Sequence, residues 1–276
     1  MTKTITFIGA GNMARALISG LVQDSTDQTN NDLNIRVTDP NESQLQDIKQ
    51  SWNSVSTFTD NSKAIAGADV IVLAVKPQIM KLVCEPLQDD LKSQDSLIIS
   101  IAAGVSIANL NLWLGEQAMP IVRCMPNTPA LVQAGMTGLF ANAEVSEEQH
   151  NLAESILRSV GSTLWLSHED KLDAVTAVSG SGPAYYFLVM EAMQDAAQKL
   201  GLTAEESRLL VLQTAFGAAK LALESDDDAG TLRQRVTSKG GTTEAALNTL
   251  IKGELPELFE KALKAAEDRS VELKNS

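Results

Sequence analysis

The most constraining stretch lies at the start of the chain. An apolar run at residues 4–8 leads into Gly9-Ala10-Gly11-Asn12-Met13-Ala14, and Leu17, Ile18 and Leu21 follow at helical spacing. This is the pattern G-x-G-x-x-G/A set between a strand and a helix. Gly9 permits the tight turn, Gly11 lets a pyrophosphate approach the backbone, and the small Ala14 lets helix pack on strand. The helix start then offers unpaired N–H groups and a positive dipole end to phosphate. A chain that begins this way is committed to a βα unit, and the ligand it prepares for is a dinucleotide.

The alternation continues along the sequence. Strand-like runs recur at 34–38, 55–58, 69–75, 96–101, 120–124, 138–141 and 163–166. Helical-period segments lie at 12–23, 42–50, 62–66, 78–91 and 146–160, several of them behind a capping residue such as Asn41, Asp60 or Ser146. Such βα alternation predicts a parallel sheet, so residues 1–166 read as an α/β Rossmann-type dinucleotide-binding domain. Strand signals then stop. Leu209, Leu212, Phe216, Ala219 and Leu223 recur at steps of three and four, which aligns one apolar face. Residues 167–276 therefore read as an all-helical C-terminal domain. Its alanine-rich helices suit close packing against a second copy, which makes it a substrate-binding and dimerisation domain.

Composition removes several chemistries. With 22 Lys+Arg against 35 Asp+Glu the net charge is −13, which disfavours a phosphate backbone as partner and argues against nucleic acid. No apolar run is long enough to span a membrane. Cys84 and Cys124 form no metal or redox pair, and the N-terminus has no secretory apolar stretch, which points to the cytoplasm. The only histidines are His150 and His168, and both read as surface residues without a triad or ligand neighbour. A histidine base, a Ser-His-Asp triad and a metal site are thereby disfavoured.

Other segments carry candidate chemistry. The second strand ends at Asp39, whose carboxylate either accepts from ribose hydroxyls or caps the next helix, so NAD(H) and NADP(H) both stay open. Ala74-Val75-Lys76-Pro77 follows the fourth strand, and Ser100-Ile101-Ala102-Ala103-Gly104 ends the fifth. Both fall at strand C-termini, where the cofactor crevice of a parallel sheet lies. Prolines 126 and 129 stiffen the loop after the sixth strand, where Arg123 either attracts an anion or braces the loop. Ser179-Gly180-Ser181-Gly182-Pro183 reads as a domain-junction turn rather than an anion site. Val236-Thr237-Ser238-Lys239-Gly240-Gly241-Thr242-Thr243-Glu244 brings flexible backbone, hydroxyls and a helix start to one spot, a carboxylate cradle within an acidic protein.

Together these segments resemble the pyrroline-5-carboxylate reductases. Gly9-Ala10-Gly11-Asn12-Met13, Ala74-Val75-Lys76-Pro77-Gln78, Met125-Pro126-Asn127-Thr128-Pro129, Ala177-Val178-Ser179-Gly180-Ser181-Gly182-Pro183-Ala184-Tyr185 and Thr237-Ser238-Lys239-Gly240-Gly241-Thr242-Thr243 match that family's motifs in order and spacing. The resemblance implies NAD(P)H-dependent reduction of 1-pyrroline-5-carboxylate to L-proline by a homodimer, often arranged as a pentamer of dimers. It implies nucleotide contacts at Gly9, Ala10, Gly11, Asn12, Met13, Asp39, Asn61, Ala74, Val75, Lys76, Pro77 and Ala102. It implies substrate contacts at Val236, Ser238, Gly240, Gly241, Thr242 and Thr243, with the Thr243 hydroxyl near the ring nitrogen as the catalytic group. Lys239 stands where the family usually has Pro, and Asp39 where many members have a residue friendlier to a 2′-phosphate. The nearest rival, a β-hydroxyacid dehydrogenase, resembles its relatives in a catalytic Lys on the first long interdomain helix; here no Lys follows Pro183 before Lys199. The other rival, a non-catalytic dinucleotide-binding dimer, needs no second glycine-rich loop.

Overall fold

A computed structural model describes residues 2–26 and 33–274. Its strands are β1 (Lys3–Ile8), β2 (Leu33–Thr38), β3 (Ser56–Phe58), β4 (Val70–Leu73), β5 (Leu97–Ser100), β6 (Ile121–Met125), β7 (Gly135–Ala141) and β8 (Gly161–Trp165). The helices among them are α1 (Asn12–Thr26), α2 (Glu42–Ser51), α3 (Asn61–Ile65), α4 (Pro77–Cys84), α5 (Gln88–Leu91), α6 (Ile107–Trp113) and α7 (Glu147–Arg158). Beyond the strands come α8 (Lys171–Val175), α9 (Gly182–Lys199), α10 (Ala204–Glu224), α11 (Ala229–Arg235), α12 (Thr242–Lys252) and α13 (Leu255–Lys274).

Caps set many of the helix starts. Asn41 accepts from the Ser43 N–H at α2, Asp60 from the Lys63 N–H at α3, and Ser146 forms a capping box with Gln149 at α7. The helix expected over 78–91 is interrupted by a 3-10 turn at Glu85–Leu87. Pro86 is the cause, because it has no N–H to give and its ring crowds the preceding turn.

The eight strands form one sheet in the order β3-β2-β1-β4-β5-β6-β7-β8. Pairing is parallel from β3 to β6, and the chain order reverses between β1 and β4. A crevice at the C-terminal strand ends follows from that reversal. The expectation of a wholly parallel sheet is corrected at the far edge: β7 runs antiparallel to β6, and β8 parallel to β7. The connection from β6 to β7 is a short 3-10 turn, Thr128–Val132, too brief for the crossover a parallel pair requires.

Side chains alternate between two buried layers. Ile5, Phe7, Val70, Val72 and Ile99 join the layer that contains Leu17, Ile48 and Ile156 from α1, α2 and α7. Ile8, Ile71, Leu73 and Ile98 join the opposite layer with Ile65, Met80 and Leu110 from α3, α4 and α6. Each fully buried aliphatic side chain of this kind contributes about 1.5–3 kcal/mol.

The chain divides into two compact units, Met1–Ser181 with Ala266–Ser276, and Gly182–Ala265. The boundary therefore lies later than the expected 166/167, and the end of α13 belongs to the first unit. Two interactions hold these segments in that unit. Arg123, only 3% exposed at its side chain, pairs with Glu169 at 2.9 Å, and Glu169 also accepts from the Ile107 N–H. Asp173, buried on α8, accepts from the Ser270 hydroxyl at 2.8 Å and lies 3.6 Å from the Lys274 ammonium. Arg123 thus braces the structure. The second unit is helical, α9 to α12 with the first part of α13. In this chain the face expected from periodicity on α10 is open, with Leu209 67% and Phe216 63% exposed. Among the described residues no helix is long and apolar enough to cross a membrane.

Candidate active site

In the first unit the glycine loop is fixed by its backbone geometry. Gly9 has φ +106°, and a Cβ there would lie 2.6 Å from the Ala74 carbonyl oxygen and 3.1 Å from Val75 Cγ1. Only glycine satisfies both the torsion and the approach to the end of β4. The Gly9 N–H donates to the Thr38 carbonyl, and the Ala74 N–H to the Ile8 carbonyl, so the ends of β1, β2 and β4 are tied together. Gly11 differs: it is exposed, and a Cβ there would meet nothing within 4 Å. The space above it is open to a ligand. Asn12 and Met13 open α1 directly after it, where first-turn N–H groups have no intrahelical acceptor.

Ala10 is clamped from two sides. Its N–H donates to Asp39 Oδ2 at 2.9 Å, while its carbonyl accepts from Arg15 Nε at 3.0 Å. The other Asp39 oxygen accepts from the Asn41 N–H at 2.8 Å. Asp39 is therefore not the cap of α2; Asn41 fills that position. Its carboxylate instead joins the glycine loop to the turn after β2. The sequence reading missed Arg15, whose guanidinium reaches the Gln44 carbonyl as well. The available signal was an arginine on the first turn of α1, one turn beyond Gly11.

The remaining nucleotide candidates line the same strand ends. Asn61, first residue of α3, accepts from the Thr38 hydroxyl at 3.0 Å. Ala74 and Val75 are half-buried beside Gly9, Lys76 is the exposed N-cap of α4, Pro77 is its first residue, and Ala102 is buried after β5. All the nucleotide candidates are thus brought to one edge of the first unit. The loop after β6 is also tied down: Asn127 donates to the Ser179 carbonyl at 3.1 Å and accepts from the Met136 N–H at 2.9 Å. Ser179 lies in a π-helical turn, Thr176–Gly180, and a Cβ on Gly180 would fall 2.5 Å from Met125 Cε. The glycine-serine segment is a structural junction, as its sequence implied.

Both cysteines are buried free thiols; desolvation pushes Cys84 up to about 12 and Cys124 further in the same direction, so neither is a ready thiolate. His168 is exposed. His150, expected as surface decoration, stacks on Trp165 with ring centroids 3.6 Å apart.

In the second unit the candidate cradle lies between α11 and α12. Val236 is the exposed C-cap of α11 and Ser238 is exposed in the loop. Gly240 has φ +74°, and the Gly241 N–H donates to the Ser238 carbonyl at 3.0 Å. Gly241 is the N-cap of α12 and supplies no side-chain cap, which leaves the first-turn N–H groups of Thr242, Thr243 and Glu244 outside the helix ladder. The Thr243 hydroxyl stands in that first turn. These residues are brought together as anticipated, with one addition: the Gly240 N–H donates to Glu244 Oε2 at 2.7 Å.

Comparison with known proteins gives the relationship. A pyrroline-5-carboxylate reductase of Pseudomonas aeruginosa is 51% identical over 272 residues, covering 99% of this chain and 97% of that protein. The chain belongs to the pyrroline-5-carboxylate reductase family. Within this reductase family, the structure of the Coxiella burnetii member superposes with a TM-score of 0.92 at 50% identity, covering all of both chains. The Plasmodium falciparum member, solved with NADP bound, gives a TM-score of 0.83 at 31% identity over 99% of this chain and 98% of that one. The model described as pyrroline-5-carboxylate reductase dimerisation matches residues 169–273, and one described as NADP oxidoreductase coenzyme F420-dependent matches residues 4–104. A Mycobacterium tuberculosis 3-hydroxyisobutyrate dehydrogenase, at 16% identity over 82% of this chain and 72% of that one, with a TM-score of 0.52, shares the fold alone.

Proposed function

We propose that this chain reduces the C=N bond of 1-pyrroline-5-carboxylate to give L-proline, with NADPH or NADH as the reductant. The observation that carries this reading is the 51% identity across the whole chain, both glycine-rich loops included. The open space above Gly11 fits a pyrophosphate, because the one position where a side chain would intrude is the one without it.

On this reading the nucleotide is held by Gly9 to Met13, with Asp39 and Asn61 toward the adenosine and Ala74, Val75, Lys76, Pro77 and Ala102 along the strand ends. When bound, the reduced nicotinamide supplies the hydride. The substrate's carboxylate is held by Ser238, Gly240, Gly241 and Thr242, beside Val236, and the Thr243 hydroxyl bonds the ring nitrogen. A protonated imine is already a strong electrophile, so the residues need to orient it more than to activate it. This accounts for a site without histidine.

The dimerisation-domain match and the open apolar face of α10 support a homodimer, and we extend the assembly to a pentamer of dimers. The two free buried thiols agree with a reducing compartment, the cytoplasm. Thr243→Ala tests the catalytic assignment: kcat falls about 10–100-fold, the loss of one positioned hydrogen bond. Unchanged turnover removes Thr243 from the mechanism. Asp39→Ser tests the ribose assignment: the ratio of kcat/KM for NADPH over NADH rises, and an unchanged ratio reduces Asp39 to its tie with Ala10 and Asn41.

A further inference from the structure

The loop before α12 already carries a carboxylate, and it is the chain's own. Glu244 Oε2 accepts from the Gly240 N–H at 2.7 Å. This is not the ordinary capping box, in which the third residue of a helix bonds back to the N–H of the N-cap residue. That arrangement is present at α7, with Gln149 and Ser146, and at α10, with Glu206 and Thr203. At α12 the N-cap is Gly241, whose N–H is spent on the Ser238 carbonyl, and Glu244 reaches one residue further back. The donor it occupies belongs to an exposed glycine at φ +74°, one of the groups assigned above to the substrate's carboxylate.

We propose that Glu244 is a specificity-determining residue that stands in for the substrate's carboxylate on the Gly240 N–H. Substrate then enters by exchanging one carboxylate for another, and the internal one sets the affinity. This rests on the carboxylate-cradle reading of the preceding subsection. A competitor tethered within the loop lowers apparent affinity by the fraction of sites it leaves competent. A charged acceptor holds an N–H more strongly than a neutral one, so removing only the charge weakens the competition and removing the side chain ends it.

The test compares the full-length wild-type chain with Glu244→Gln and Glu244→Ala. With saturating reduced cofactor, KM for 1-pyrroline-5-carboxylate falls about three- to tenfold in Glu244→Ala, the scale of one net hydrogen bond, with Glu244→Gln between it and wild type. The effect falls on KM and leaves kcat in place, because the competing group does not touch the reacting atoms. A residue that merely positions the loop behaves oppositely: KM rises in Glu244→Ala and Glu244→Gln restores it, which would overturn the proposal. A second arm needs no turnover. Acetate is titrated while the Gly240 amide is followed by NMR, and Glu244→Ala responds at a lower acetate concentration than wild type. Equal acetate affinities overturn the proposal even if catalysis is absent, whereas absent wild-type turnover alone counts against the assigned reaction and not against Glu244.

Discussion

Gly9 and Gly11 stand two residues apart in one motif, yet the structure gives them opposite roles, and paired alanine substitutions separate these. In Gly9→Ala the new Cβ falls 2.6 Å from the Ala74 oxygen and 2.9 Å from its carbonyl carbon, at a residue whose φ is +106°. The torsion alone costs about 1–3 kcal/mol for a non-glycine residue. The overlap is with backbone, which no rotamer relieves, and forcing the β1–α1 turn off the end of β4 costs about 1–3 kcal/mol more. The sum, about 2–6 kcal/mol, is a large share of a typical domain's stability. In Gly11→Ala the Cβ meets no protein atom within 4 Å, so stability holds within about 0.5 kcal/mol. That methyl group projects into the space assigned to pyrophosphate, so affinity for NADPH falls at least about tenfold, or about 1.4 kcal/mol. Urea unfolding read at constant m gives the first quantity, and quenching of tryptophan fluorescence by NADPH gives the second. A stable Gly9→Ala, or a Gly11→Ala that binds NADPH as wild type does, refutes the argument.

Two further predictions concern the first unit. Glu169→Ala leaves the Arg123 guanidinium buried without its partner and strips the Ile107 N–H of its acceptor, costing about 2–4 kcal/mol after allowance for the partial exposure of Glu169. Arg123→Met leaves Glu169 partly in water and still bonded to Ile107, and costs about 1–2 kcal/mol; urea midpoints in the reverse order contradict the reading. The Trp165 indole N–H donates to Glu154 at 3.0 Å, and this bond is the leading cause that holds the Glu154 carboxyl below its usual 4.5. A carboxyl depressed in the folded state contributes stability above its unfolded pKa and loses it as pH falls through the folded value. The stability advantage of wild type over Glu154→Gln is therefore full at neutral pH and disappears on acidification below 4.5, a trend that urea midpoints across pH report. A difference independent of pH contradicts it.

Much of the first unit was readable because its signals are local. Each of the eight strands lies within a run of apolar residues, and Asn41, Asp60 and Ser146 cap the helices they precede. What escaped depends on neighbours distant in sequence. The antiparallel entry of β7 is decided by the length of the turn after β6, and the later unit boundary by Arg123 with Glu169 and by Asp173 with Ser270. The π turn at Thr176–Gly180 has no periodic signature that sets it apart from α8. Both candidate loops were visible as glycine patterns, but their occupants were not: the hold of Asp39 and Arg15 on Ala10, and of Glu244 on Gly240, join backbone to side chains whose residue types also suit plain helix starts.

The most direct test of the account mixes the purified wild-type chain with 1-pyrroline-5-carboxylate and either NADPH or NADH and follows the loss of absorbance of the reduced cofactor. The account predicts substrate-dependent oxidation of at least one cofactor with stoichiometric formation of L-proline. No oxidation of either, by a folded dimer that binds the cofactor, would contradict it.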